Sequence, residues 1–317
     1  MEVLEIKKKK NYKNMTFNDL FNYFYEYKKD KIKYTTLKTY LEKRKFFESL
    51  DNIKLKDFNI NHFENWKQEI NSKPYSTYNK NQIYKLLKQL LNHASKWYNF
   101  NFTNTYNKMT NFTNPNELPK EMLFFTYEEF KKFISVEKDI LYKTMYETFY
   151  YCGLRKGELR ALTWNDIDFE EKTIKINKNI VIGEDKKYAI TTPKTKASIR
   201  KIPIPNKLLF DLKELYNLNK NKKEFNNDLF VFGFIEPISC EKITRRKNKN
   251  CKLASVQQIR IHDFRHSCAS LLINNNASIS LVARYLGHSK IDETLNTYSH
   301  LFKNKLDEII QIIDNLN

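Results

Sequence analysis

Residues 286–300 read LGHSKIDETLNTYSH, and in a chain of 317 residues with only 6 histidines and 5 glycines this stretch holds two histidines, a glycine and a tyrosine. Taken singly, His288 is a helix-end histidine and Tyr298 is one core tyrosine among 20. Their meaning comes from what lies upstream. Residues 262–266 read HDFRH, placing His262 and Arg265 one helical turn apart on one face. Residues 152–159 read CGLRKGEL, with Arg155 just beyond a helix end expected at Gly153. The chain strongly prefers lysine to arginine, yet eight of its nine arginines, all but Arg44, follow residue 150. A planar guanidinium grips two phosphate oxygens at once, which an ammonium cannot do, so Arg155, Arg265 and His262 together read as a phosphate clamp. His262 and His266, four apart, have the spacing of a metal pair, but no H-E-x-x-H glutamate or third nearby ligand accompanies them.

The rest of the chain bounds this reading. A length of 317 residues suits two domains, and 41% apolar residues with 15% aromatics are enough for two packed cores. The formal charge of +19 calls for a polyanionic partner. No apolar run approaches the roughly 18 residues of a spanning helix, and the leader MEVLEIKKKK has no signal-peptide apolar region, so a cytoplasmic protein and a nucleic-acid partner are expected rather than a membrane. Cys152, Cys240, Cys251 and Cys268 lack C-x-x-C or zinc-finger spacing and are expected as free thiols, with neither metal nor cofactor.

All five glycines lie after residue 152, and the part before them alternates helical runs with Asn-rich connectors. Thr16 and Asp19 form a capping-box pattern, Thr35-Thr36 opens a second helix candidate, and Ser76 opens a third carrying Ile83, Leu86, Leu87, Leu90, Leu91 and Ala94 at helical spacing. The expected organisation is a basic leader over 1–14, a helical domain over 15–112, a polar linker over 113–122 and a second domain over 123–317. With the helical half beginning near residue 15, little room is expected for a further N-terminal domain. The second domain starts at a Thr126–Glu129 cap. Its segments IDFEEKTIKI, KNIVIGEDKKYAITT and SIRKIPIP predict one short antiparallel sheet among helices, giving a mainly α fold. Near the end, Leu306, Ile309, Ile310, Ile313 and Leu316 form an apolar stripe that needs a groove.

The ordered set GLRKGEL, PKTKASIRKIPI, HDFRH, LGHS and TLNTYSH resembles the tyrosine recombinases, or phage-type integrases, over roughly residues 123 to 300. That resemblance implies a helical core-binding domain joined to a mixed catalytic domain. It makes Arg155 and Arg265 the phosphate-gripping arginines, His262 and His288 the active-site histidines, Lys194 the hairpin lysine that protonates the leaving oxygen, and Tyr298 the nucleophile. Lys196 is the competing lysine and Tyr285 the competing phenol. An attacking tyrosine must shed its proton, and His262 is expected as the nearest candidate base. Glu158 is expected to orient Arg155 or cap its helix, and His266 to play a supporting or structural part. The implied product is a 3′-phosphotyrosyl link. The implied partners are double-stranded DNA with a specific site, three further copies in a tetramer, accessory DNA-bending or directionality factors, and a neighbouring protomer that receives the C-terminal stripe. The PKTKASIRKIPI hairpin resembles those of phage-type members more than Xer-type ones, which implies a mobile-element integrase, with Xer-type chromosome or plasmid resolution as the alternative. A type IB topoisomerase and a catalytically silent DNA-binding regulator are the readings from other classes.

Overall fold

The computed structural model describes residues 12–118, 122–183, 187–193, 195–298 and 313–314. Lys194, the leader before Tyr12 and the C-terminal stripe, Ile313 excepted, lie outside these residues. The chain divides into two compact units, one ending at Lys120 and one starting at Glu121.

The first unit is built from α1 (Phe17–Lys29), α2 (Tyr34–Arg44), α3 (Ile60–Ser72), α4 (Thr77–Tyr98) and the single turn α5 (Thr103–Tyr106). The Thr16 hydroxyl accepts from Asp19 N while the Asp19 carboxylate accepts from Thr16 N, closing the expected box at the head of α1. Ser76 caps α4 by accepting from Asn79 N, and Asn99 ends that helix in left-handed geometry with φ 59°. The second helix differs from expectation. It starts one residue before Thr35, behind an extended Lys33 that supplies no side-chain cap, and Thr35 lies inside the helix with its carbonyl accepting from the Thr39 hydroxyl. Leu20, Phe24, Phe47, Phe63, Trp66, Leu87 and Leu90 meet in one apolar core.

The second unit opens with α6 (Tyr127–Ser135), α7 (Ile140–Cys152) and α8 (Lys156–Arg160). The Thr126–Glu129 box caps α6, and Gly153 ends α7 with φ 59° and ψ 29°, a left-handed turn that a β-carbon would disfavour. Strands β1 (Ile167–Asp168), β2 (Thr173–Ile176), β3 (Asn179–Ile182), β4 (Tyr188–Thr191) and β5 (Arg200–Pro203) follow. They form two sheets rather than the one expected: an antiparallel β1-β2-β5 sheet with Ile174 opposite both Ile167 and Ile202, and a separate β3-β4 hairpin. The cause is local. A β-carbon on Gly157 would sit 2.2 Å from Asn179 Oδ1 and 2.9 Å from the Ile180 carbonyl, so the missing side chain lets β3 lie directly on α8, away from β2.

Helices α9 (Asn206–Lys220), α10 (Cys240–Leu253), α11 (Asp263–Asn274), α12 (Ile279–Leu286) and α13 (Ile291–Tyr298) complete the unit. Phe264 on α11 lies at the centre of the core, with ring centroids 5.6 Å from Phe125 and Phe133, 5.7 Å from Tyr146 and 5.9 Å from Phe149. Burying that one ring fixes α11 against α6 and α7 and orients its next residue, Arg265. A smaller cluster of Cys268, Ala269, Ile273, Val282, Leu286 and Tyr298 joins α11 to α12 and α13. All four cysteines are free. Among the described residues no helix is long and apolar enough to cross a membrane.

Candidate active site

Arg265 organises the site. Its buried side chain donates through one guanidinium nitrogen to the Gly153 carbonyl at 2.8 Å and through another to the Leu286 carbonyl at 2.7 Å. Gly153 precedes Arg155 by two residues and Leu286 precedes His288 by two, so this one side chain fixes the segments carrying both. It does so against its own electrostatics. Burial, then the nearby guanidiniums of Arg155 and Arg200, pull its pKa down to about 10.

Arg155 stands at the head of α8, where Glu158 holds it: Glu158 Oε2 accepts from Arg155 N at 3.0 Å and Oε1 from its guanidinium at 2.9 Å. Glu158 thus performs both parts expected of it. The same carboxylate accepts from Arg200 at 3.1 Å. Burial alone would raise the Glu158 carboxyl, but the charge and hydrogen bond of Arg200, with the Arg155 amide, hold it below the usual carboxylate value. Arg200 lies within the PKTKASIRKIPI segment, and its place in the site is not evident from the sequence. It also donates to the carbonyls of Tyr285 and Ser198, binding β5 to the end of α12. A cleft of about 210 Å³ lies beside Arg155, walled by Glu158, Thr195, Ser198, Gly287 and Glu293.

The histidines sit among these cations. His262 precedes the first residue of α11. Burial, then Arg265, lowers its pKa. His288 follows α12, its Nδ1 2.6 Å from the Thr294 hydroxyl. Burial, followed by Arg265, Arg155 and Arg200, drives it down to about 3, so near neutral pH its 3.6 Å contact with Glu293 is not an ion pair. Neutral imidazoles here can donate to an anion, and an arriving phosphate would reverse the depression.

Tyr298 closes α13 with 1% of its surface exposed, and burial raises its phenol pKa while Arg265 opposes the rise. Among the described hydrogen bonds its hydroxyl pairs with His266 Nδ1 at 2.8 Å, not with His262, the base expected from the sequence. His266, expected only in a supporting or structural part, lies four residues after His262 in HDFRH, and that spacing by itself does not indicate a contact with Tyr298. Tyr285, the competing phenol, donates its hydroxyl to the Tyr151 carbonyl at 3.0 Å. Lys194 lies outside the described residues, and Lys196 begins a 3-10 turn ending at Ser198. Among the described residues no group of three His, Cys, Asp or Glu side chains could hold a metal ion.

Residues 123–305 match the model of the phage integrase family. The chain is 38% identical over 208 residues to the ICEBs1 integrase of Bacillus subtilis, a match covering 62% of this chain and 55% of that protein's length. It is 26% identical to the integrase of Staphylococcus phage L54a across 99% of this chain and 97% of that one. Among solved structures, the Tn1549 transposon integrase in complex with a circular intermediate DNA superposes with a TM-score of 0.77 at 20% identity, covering 96% of this chain and all of that one, a likeness of fold.

Proposed function

This chain belongs to the phage integrase family, and on that premise we propose that it is a site-specific DNA recombinase that integrates or excises a mobile element. The observation that carries the reading is the clustering of Arg155, Arg200 and Arg265 so closely that their charges depress Arg265, with the single carboxylate of Glu158 among them. Such a cluster is matched to a phosphodiester. Negative charge on the nonbridging oxygens during attack is met by fixed donors, each worth about 2.7 to 4 kcal/mol in comparable oxyanion sites. In this reading Arg155 and Arg265 grip the phosphate, His262 and His288 donate to it, Tyr298 attacks phosphorus and Lys194 protonates the leaving oxygen. The 3′-phosphotyrosyl link conserves the energy of the broken bond, so rejoining draws on neither metal nor nucleotide cofactor. The helical unit over 15–112 serves as a core-binding domain, the catalytic domain begins near 123, and four protomers assemble on two DNA sites in the cytoplasm. The mobile-element assignment draws on the relatives, which are named as integrases of a phage, of ICEBs1 and of a transposon.

The test is covalent. Mixed with a nicked duplex bearing its site, the protein is expected to give a denaturation-resistant DNA adduct, and Tyr298→Phe is expected to bind the same DNA and give none. An adduct persisting in Tyr298→Phe would place the nucleophile elsewhere, and no adduct from the unaltered protein on any candidate site would leave a DNA-binding regulator.

A further inference from the structure

A buried phenol does not ionise unaided, and the group that relieves Tyr298 of its proton must touch its oxygen. One described side chain does. His266 Nδ1 lies 2.8 Å from the Tyr298 hydroxyl, with the two rings edge to face at 62° and centroids 5.7 Å apart. The described cluster packed with the phenol, Cys268, Ala269, Ile273, Val282 and Leu286, is apolar, and among the described hydrogen bonds His266 is the partner of the Tyr298 hydroxyl. His262 stands next to His266, ring centroids 5.2 Å apart, but makes no described hydrogen bond to the phenol, and the Nδ1 of His288 is engaged by Thr294.

We propose that His266 is a further catalytic residue, the base that receives the Tyr298 proton through Nδ1; this rests on the reading of Tyr298 as nucleophile. With the ring protonated at Nε2, the Nδ1 lone pair accepts from the hydroxyl. As the Tyr298 Oη–P bond forms and the bond from phosphorus to the leaving DNA oxygen breaks, the phenol proton passes to Nδ1 and an imidazolium results. The leaving oxygen takes its proton from a separate acid, a lysine ammonium. On rejoining, the imidazolium returns the proton to the departing phenolate. Burial and the neighbouring His262 keep His266 neutral, with a pKa lowered to about 4, so the lone pair is available at neutral pH.

The experiment is single-turnover cleavage of a nicked duplex. His266→Ala is expected to cleave about a hundredfold more slowly, the low end for losing a general base, at unchanged DNA affinity, with added imidazole recovering about tenfold. His266→Gln, whose amide oxygen can hold the phenol but cannot take its proton, is expected to stay as slow, and it carries the test if the alanine variant loses its thermal transition. Replacing the leaving oxygen by sulfur, which departs without a proton, is expected not to rescue either variant. Wild-type rates in His266→Ala or His266→Gln, or rescue by the sulfur substrate, would overturn the assignment. An adduct in Tyr298→Phe would instead overturn the nucleophile, whatever His266 does.

Discussion

Arg155 keeps 33% of its side chain exposed whereas Arg265 is buried, so the two arginines can divide the labour. Arg265 spends two of its donors on the protein's own carbonyls, while Arg155 turns toward the open cleft and is free to meet a ligand with the rest of its fork. Arg155→Lys retains the charge but not the paired donors, and cleavage is expected to fall about a hundredfold with little change in DNA affinity, measured by adduct formation and by gel shift. Both arginines stand out in the sequence because each lies in a short motif and is an arginine in a lysine-rich chain. Arg200 carried the same signal but lay within an alternating strand pattern, and its partner carbonyl at Tyr285 is 85 residues away. The contact of His266 with Tyr298 was not legible for a similar reason, since the two are 32 residues apart and contact at that separation is decided by tertiary packing.

At the scale of elements, two seams carry testable consequences. The first joins α8 to β3 at Gly157, where any side chain meets the backbone of Ile180 as well as Asn179. Gly157→Ala is expected to cost about 1 to 3 kcal/mol by overpacking and to slow cleavage, because α8 positions Arg155; thermal melting and adduct yield read the two effects. The second joins α7 to α9 through the buried carboxyls of Glu147 and Asp211, with Lys207 3.1 Å from Glu147 and Lys143 3.0 Å from Asp211. Burial, reinforced by Asp211, raises Glu147 from an ordinary 4.5 to about 7. A raised folded-state value means that protonation favours the fold. The stabilisation is complete below pH 4.5 and is lost as pH rises through about 7. Glu147→Gln does not titrate, so it is expected to be more stable than the unaltered protein above pH 7, on the order of 1 kcal/mol, with no such gain near pH 4. A melting-temperature difference that stayed flat with pH would refute this. The caps at Thr16, Ser76, Thr126 and Gly153 were readable because each is settled within four residues. The division of the strands into two sheets was not, because it turns on Gly157 meeting Asn179, a contact with no local periodic signature.

Across the whole molecule, charge and architecture give a further measurement. Residues 1–120 carry 23 Lys and Arg against 12 Asp and Glu, leaving 33 against 25 in the remainder, so both parts are net positive. Binding of the full chain to its DNA is therefore expected to weaken more steeply with salt than binding of residues 121–317, by a slope of about 0.9 for each phosphate contact the first unit supplies. Equal slopes would mean that the first unit does not touch the duplex. The expectation of two domains drew on an Asn- and Pro-containing stretch that separates two sets of apolar periodicity. The hydrogen bonds of Arg265 also bear on how the chain is made. They reach a carbonyl 112 residues earlier and another 21 residues later. Translation proceeds at roughly 5–20 residues per second, so the second anchor leaves the ribosome after the arginine itself. Until Leu286 has emerged, a nascent chain cannot hold that fork in register. Any grip on an anion that relies on the Arg265 fork is thereby withheld from unfinished copies of the protein.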